Sequence, residues 1–277
     1  MNKLIDQYGV FGCPVRHSKS PLIHRIFAEQ TGQLLHYGAK EVPAADFDAA
    51  LDKFILLGGK GLNCTVPLKE LAWARADQLT ERARISKAVN TLKINRDGSI
   101  SGDNTDGSGL VADLIANNGL TLSGSEILIL GAGGASRGII APLLEQGPKQ
   151  LVIANRTVER AQQLSAEFTP LANIKACGFQ TLAGQHFDLI INATSASLSN
   201  DLPPLPAGLL AENGSCYDLA YAAVATPFVR WGKQQNAIKS LDGLGMLVEQ
   251  AAEAFFIWRG VRPETESVLK QLNALRK

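Results

Sequence analysis

No apolar run in this chain approaches the ~18–20 residues that a membrane span requires. The opening segment, MNKLIDQYGVFGCPV, lacks the unbroken apolar stretch of a secretory signal. Cysteine is scarce, and Cys13, Cys64, Cys177 and Cys216 never approach C-x-x-C spacing. That argues against a zinc site and for reduced thiols, so a cytoplasmic protein is expected. Charge of one sign is missing too: 27 Lys and Arg stand against 26 Asp and Glu, a formal net charge of +1. Such a balance gives no electrostatic case for nucleic acid or for an anionic membrane surface. Repeats and low-complexity tracts are also absent. What remains is an ordinary soluble composition, 45% hydrophobic and 19% charged over 277 residues. That length suffices for two domains or one large α/β domain.

A further absence is more telling. The middle of the chain reads EILILGAGGASRG and then LVIANRTVERA. An apolar strand (Ile127 to Leu130) enters the turn Gly131-Ala132-Gly133-Gly134-Ala135, a helix follows, and a second apolar strand ends at Asn155-Arg156-Thr157. Glycines there let the backbone approach a pyrophosphate, with free helical N–H groups aimed at it. An NAD-binding unit normally ends its second strand on an acid that holds the ribose 2′-hydroxyl. This chain has no acid at that point, so the 2′-phosphate of NADP is expected instead. If Thr157 caps the next helix, Arg156 and Arg160 flank its positive end, where cations are unfavourable unless an anion sits between them. The third fingerprint position is Ser136 rather than glycine, so the match to G-x-G-x-x-G is imperfect.

The remaining pattern alternates strands with helices, which implies a mainly parallel sheet covered on both faces. Before the glycine turn, strands are expected at Tyr8 to Phe11, Leu34 to Val42, Gly61 to Val66 and Ala88 to Ile94. Helices are expected at Pro21 to Gln30, at Ala45 to Leu57, from Pro67, and from Leu110 to Asn117. Asp97-Gly98 reads as a hairpin turn. After the turn come strands at Phe187 to Asn192, Ser215 to Asp218 and Ala237 to Leu241, and a helix at Pro227 to Gln235. The tail helix, Gly243 to Trp258, carries an apolar stripe of Leu244, Leu247, Val248, Ala251, Phe255 and Trp258, with Gln250 at its edge. A last helix runs from about Pro263 to Leu275. A dinucleotide unit that starts mid-chain leaves the residues before it for substrate. The expected organisation is a substrate domain over 1–105, a cofactor domain over 106–241, and helices over 242–277 that return to the first. Apolar helix surface is available both to a core and to a homodimer contact.

Four polar patches stand in the N-terminal part. In His17-Ser18-Lys19-Ser20-Pro21, two hydroxyls beside a helix start can cap it or hold a carboxylate. In Asn63-Cys64-Thr65-Val66-Pro67-Leu68-Lys69, Thr65 and Lys69 follow a strand end, where open α/β sheets bind ligands. A lysine alone is usually a solvated surface group, and the Asp, Asn and Gly of GDNTDG usually build turns. With Val89-Asn90-Thr91, however, the patches assemble a lysine, a carboxylate, an amide and several hydroxyls. That set suits a polyhydroxylated substrate handled by a Lys–Asp pair.

HSKSP, NCTVPLK, AVNTL, GDNTDG, GAGGASR, NRTVERA, NATS and GLGMLVEQAA occur in one order along nearly the whole chain. In this the sequence closely resembles the NADP-dependent shikimate dehydrogenases. The resemblance implies reversible reduction of 3-dehydroshikimate by NADPH to shikimate, in aromatic amino-acid biosynthesis. It implies Lys69 and Asp106 as catalytic pair, and Ser18, Ser20 and Tyr221 at the substrate carboxylate. It places Thr65, Asn90 and Gln250 at the ring hydroxyls or carbonyl. For the cofactor it implies 131–135 at the pyrophosphate, 155–160 at the ribose phosphate, and Leu219 and Gly243 near the nicotinamide. The chain departs from the family at Lys87 and Ser197, where glycine is usual, and at Arg25, where asparagine is frequent. The enzymatic alternative is a quinate/shikimate dehydrogenase with relaxed substrate or cofactor use, whose members tend to carry the acid that is absent here. A non-catalytic NADP(H) sensor would not need Lys69 and Asp106 together.

Overall fold

The computed structural model describes residues 5–276. The chain divides into two compact units, 1–109 with 247–272, and 110–246 with 273–277. The boundaries at 109/110 and 246/247 lie inside helices, a few residues beyond the positions that the sequence suggests, and the residues after 272, expected with the first unit, group with the second.

The first unit contains β1 (Asp6–Gly12), α1 (Ser20–Thr31), β2 (Leu35–Glu41), α2 (Phe47–Leu56), β3 (Gly59–Cys64), α3 (Lys69–Arg75), β4 (Gln78–Leu79), α4 (Glu81–Ser86), β5 (Thr91–Ile94) and β6 (Ile100–Asp103). After β6 comes α5 (Asp106–Ala112), within which the chain leaves this unit. The six-stranded sheet has the order β2-β1-β3-β5-β6-β4. β1 pairs parallel with β2 and β3, and β4 with β6, whereas β5 runs antiparallel to both β3 and β6. The reversal follows from the tight turn at Asp97-Gly98, which is too short for a crossover helix. Phe11, Phe47, Leu51, Leu62, Leu68, Val89 and Leu92 form the core between the sheet and α2 and α3.

Two local expectations change. Pro67 does not open a helix, because Leu68 N–H donates to Thr65 O at 2.8 Å and closes a turn first; α3 begins at Lys69. The strand expected from Ala88 begins only at Thr91, since α4 ends at Lys87 with left-handed backbone, φ 48°. Glycine is the usual residue there because it adopts that region without steric cost.

A second aromatic cluster completes this unit. His24 is fully buried and stacks on Tyr37 at 4.1 Å, with Phe27, Phe255 and Trp258 around it. Neither ring nitrogen has a hydrogen-bond partner among the described residues. Burial therefore pushes its pKa from 6.5 down to about 3. The folded state keeps this imidazole neutral while the unfolded chain protonates it below 6.5, so stability is whole above 6.5 and falls with pH toward 3. Each pH unit in that window costs up to about 1.4 kcal/mol. His24→Phe should flatten this acid limb, seen as urea midpoints at pH 7 and pH 5 that differ less than in the parent. An unchanged difference would show that other groups set the acid sensitivity.

The second unit contains β7 (Glu126–Leu130), α6 (Gly134–Leu144), β8 (Gln150–Ala154), α7 (Val158–Glu167), β9 (Lys175–Cys177), β10 (Phe187–Asn192), β11 (Leu210–Asp218), α8 (Pro227–Gln234) and β12 (Lys239–Asp242). Its sheet order is β12-β11-β10-β7-β8-β9, with every pairing parallel. This is the doubly wound order, with the topological switch between β7 and β10. Leu128, Leu130, Val152, Ile190, Phe187, Phe228 and Trp231 fill its core.

The crossings between units fall within helices. α5 starts earlier than the Leu110 expected from sequence and runs on as a π-turn over Asp113–Asn117. α9 (Leu244–Arg259) carries the apolar stripe, and the last helix is α10 (Glu266–Ala274). Phe255, Val248 and Ala251 are fully buried. Among the described residues no helix is long and apolar enough to cross a membrane.

Candidate active site

In the first unit, Lys69 is the first residue of α3 and Asp106 the first of α5. Lys69 Nζ donates to Asp106 Oδ2 at 2.5 Å, with both side chains largely buried. Asn90 Nδ2 donates to the other oxygen, Oδ1, at 2.8 Å, and Asn104 Oδ1 accepts from Asp106 N–H at 3.1 Å. The carboxylate is therefore gripped on both oxygens, which fixes its plane. The backbone enforces the arrangement, as Val89 N–H donates to Lys69 O and Cys64 N–H to Asn90 O, each at 2.9 Å.

Gln250 arrives from far along the sequence. Its Oε1 accepts from Asn90 Nδ2 at 3.3 Å and Thr105 Oγ1 at 3.4 Å. Close approach of its helix requires a glycine opposite: a Cβ at Gly109 would lie 2.7 Å from Gln250 Cβ. Behind Asn90 runs a buried chain of polar groups that sequence reasoning did not assemble. Tyr37 OH donates to Asn63 Oδ1 at 2.7 Å, Asn63 Nδ2 to Thr91 Oγ1 at 3.0 Å, and Thr91 Oγ1 to Asn90 Oδ1 at 2.8 Å. Thr105 N–H also donates to Asn90 Oδ1, at 2.9 Å. Every polar atom of the Asn90 side chain is thereby engaged, so its orientation is set by the network rather than by its rotamer alone. The signal was present in NCTVP and AVNTL, but alternation along a strand does not say which polar side chains face one another.

Ser18 lies between β1 and α1, and Ser20 is the first residue of α1. Ser18 Oγ accepts from Ser20 N–H at 3.2 Å, and the Ser20 side chain is buried. Thr65 follows β3, and its N–H donates to Phe11 O at 2.9 Å. The structure thus joins Lys69, Asp106, Asn90 and Gln250 by direct hydrogen bonds, while Ser18, Ser20 and Thr65 sit at the carboxyl ends of β1 and β3.

The other residues belong to the second unit. Gly131 has φ 104°, and a Cβ there would press on Ala193 O at 3.1 Å. A Cβ at Gly133 or Gly134 would instead project into open space. α6 begins at Gly134 without a side-chain cap, so its first N–H groups face that space. This cradle fits a pyrophosphate, held by backbone N–H groups at the positive end of a helix. Ser136 is fully buried and donates to Gly131 O at 2.7 Å, which is how a hydroxyl serves at the third fingerprint position.

At the end of β8, Asn155 Nδ2 donates to Thr157 O at 2.8 Å. Thr157 occupies the N-cap position of α7, where the sequence places the helix start, although its hydroxyl makes no capping bond. Arg156 and Arg160 are exposed, and neither guanidinium has a protein partner among the described residues. Two unpaired cations at a helix start fit a phosphate monoester. Leu219 N–H donates to Asn192 O at 2.9 Å beyond β11, and a side chain at Gly243 would collide with the Leu219 carbonyl. Tyr221 is half-buried in the loop that follows.

Three family descriptions match the chain in succession. "Shikimate dehydrogenase substrate binding domain" covers residues 10–92, "Shikimate / quinate 5-dehydrogenase" 113–199, and "Shikimate 5'-dehydrogenase C-terminal domain" 243–272. The shikimate dehydrogenase (NADP(+)) of Methylococcus capsulatus is 61% identical over 98% of each chain. The structure of an Ael1 enzyme from Pseudomonas putida is 48% identical, covering 96% of this chain and 98% of that one with a TM-score of 0.89. Shikimate 5-dehydrogenase from Thermus thermophilus, solved with NADP(H) and shikimate, is 33% identical over 99% of this chain and 100% of that one, at a TM-score of 0.87. By these matches the chain belongs to the shikimate dehydrogenase family.

Proposed function

We propose that the chain catalyses the reversible, NADPH-dependent reduction of 3-dehydroshikimate to shikimate in aromatic amino-acid biosynthesis. The first unit would hold the substrate and the second the cofactor, in the cytoplasm. The contact of Lys69 Nζ with Asp106 Oδ2 at 2.5 Å, among Asn90, Thr105 and Gln250, carries this reading. NADPH supplies the hydride. A ketone that receives hydride builds negative charge on its oxygen, and a proton donor must quench it. Lys69 gives that proton in reduction and takes it back in oxidation. Asp106 aims the ammonium, and Asn90 keeps Asp106 from turning away.

Ser18 and Ser20, with Tyr221, would hold the substrate carboxylate; Thr65, Asn90 and Gln250 would hold its hydroxyls or carbonyl. The cradle of 131–135 would take the pyrophosphate, and Asn155, Arg156, Thr157 and Arg160 the 2′-phosphate, with Leu219 and Gly243 at the nicotinamide.

A quinate-accepting, NAD-using enzyme is the weaker reading, because no carboxylate stands at 155–157 to accept from a ribose 2′-hydroxyl. Initial rates with shikimate and quinate under NADP+ and NAD+ test this. Shikimate with NADP+ should dominate, and equal rates with quinate or NAD+ would reverse the assignment. Arg156→Ala should raise the KM for NADPH about tenfold or more, the scale of a lost charge-assisted bond, with NADH use unchanged. Equal losses with both cofactors would show that Arg156 does not read the phosphate.

A further inference from the structure

Asp218 has no role in the reaction outlined above, yet it is fully buried at the carboxyl end of β11, one strand in from the edge of the cofactor unit's sheet. Leu130, Asn192, Asp218 and Asp242 are level with one another across β7, β10, β11 and β12. The pyrophosphate cradle follows β7 and the residues for the ribose phosphate follow β8. The nicotinamide half therefore falls on the opposite side, over β10 and β11.

Four donors converge on Asp218. Asn192 Nδ2 at 3.1 Å and Ala220 N–H at 3.1 Å reach Oδ1, while Ser197 Oγ at 2.6 Å and Thr226 Oγ1 at 2.6 Å reach Oδ2. Both hydroxyls have their protons free for this. Ser197 Oγ accepts from Asn192 Nδ2 at 3.2 Å, and Thr226 Oγ1 accepts from Val229 N–H at 3.2 Å. The set thus fits an ionised carboxylate, although burial favours its neutral form and draws its pKa upward against these bonds. Asn192 Oδ1 accepts in turn from Thr194 Oγ1 at 2.7 Å. One side chain ties together the loop after β10, the loop after β11 and the start of α8.

We infer that Asp218 is a positioning residue for the nicotinamide end of the cofactor site, acting through Leu219 and Ala220. The inference rests on the proposed NADP(H)-dependent function. Ser197 supplies one of the two short bonds, so a glycine at this position would leave the carboxylate held by three donors.

Calorimetric titration with NADPH and with adenosine 2′,5′-bisphosphate, which lacks the nicotinamide, tests it. Asp218→Asn should weaken NADPH roughly tenfold, the scale expected when a preorganised site is loosened, and leave the bisphosphate within about twofold. Ser197→Gly, which removes a single donor, should show the same selectivity at about threefold and serves if Asp218→Asn does not fold. Unchanged NADPH affinity, or equal losses for both ligands, would overturn the inference, since a merely structural residue would weaken both together. A parent protein that binds neither ligand would instead overturn the cofactor assignment on which it stands.

Discussion

Lys69→Ala should lower turnover by ~100-fold or more, the scale on which a positioned proton donor contributes. Affinity for NADPH should stay as in the parent, because Lys69 lies in the first unit and the cofactor cradle in the second. The network around it makes the outcome sharper. Removing Nζ deprives Asp106 Oδ2 of its partner at 2.5 Å but leaves Asn90 on Oδ1. The site should thus keep its shape while losing its acid. Stopped-flow measurement of the chemical step, alongside NADPH titration, separates the two. Near-parent turnover would remove Lys69 from the mechanism, and a matching loss of NADPH affinity would point to general unfolding.

The second large effect is on stability. Arg82→Ala should destabilise the first unit by about 2–3 kcal/mol, at or just below the ~3–5 kcal/mol for breaking a fully buried ion pair, since Arg82 is a quarter exposed. Asp103 accepts from Arg82 Nε at 2.6 Å and Nη2 at 2.8 Å, from Thr80 Oγ1 at 2.7 Å and from Asn104 N–H at 2.7 Å. Arg82 also reaches Glu253 on the returning helix at 3.1 Å. Alanine leaves a buried carboxylate without its cation, and most of the cost is that stranded charge. Arg82→Ala combined with Asp103→Asn should therefore recover about half of the loss in urea unfolding. A single-variant cost below about 1 kcal/mol would mean that solvent already compensates Asp103. Because Asp103 directly precedes Asn104 and Thr105, KM for shikimate in Arg82→Ala reports how far the disturbance reaches.

Much of this was readable in the sequence, for identifiable reasons. Glycines and strand endings are local signals, so Gly131, Gly133 and Asn155-Arg156-Thr157 marked the cofactor unit unaided. Lys69 and Asp106 were readable as residue types near a strand end and in a polar turn. Less legible was what depends on pairing across space. β4, α4 and β9 are too short for periodicity to register. The antiparallel entry of β5 into the sheet, and the chain of hydrogen bonds from Tyr37 to Asn90, follow from register rather than from sequence neighbours. Nothing in the residues beside His24 signals its isolation, which comes from the aromatic rings that pack around it in space and leave both ring nitrogens without a partner among the described residues.

The discontinuity of the first unit has a consequence for biosynthesis. Phe255 and Trp258 complete the aromatic cluster around His24, and Gln250 completes the hydrogen bonds of Asn90. A nascent chain emerging from the ribosome carries residues 1–109 long before it carries these. At ~5–20 residues per second the gap is on the order of ten seconds, during which the first unit has its sheet but lacks part of its core. The second unit, nearly continuous, can close first. The residues that open the chain thus wait longest for the partners that complete their packing.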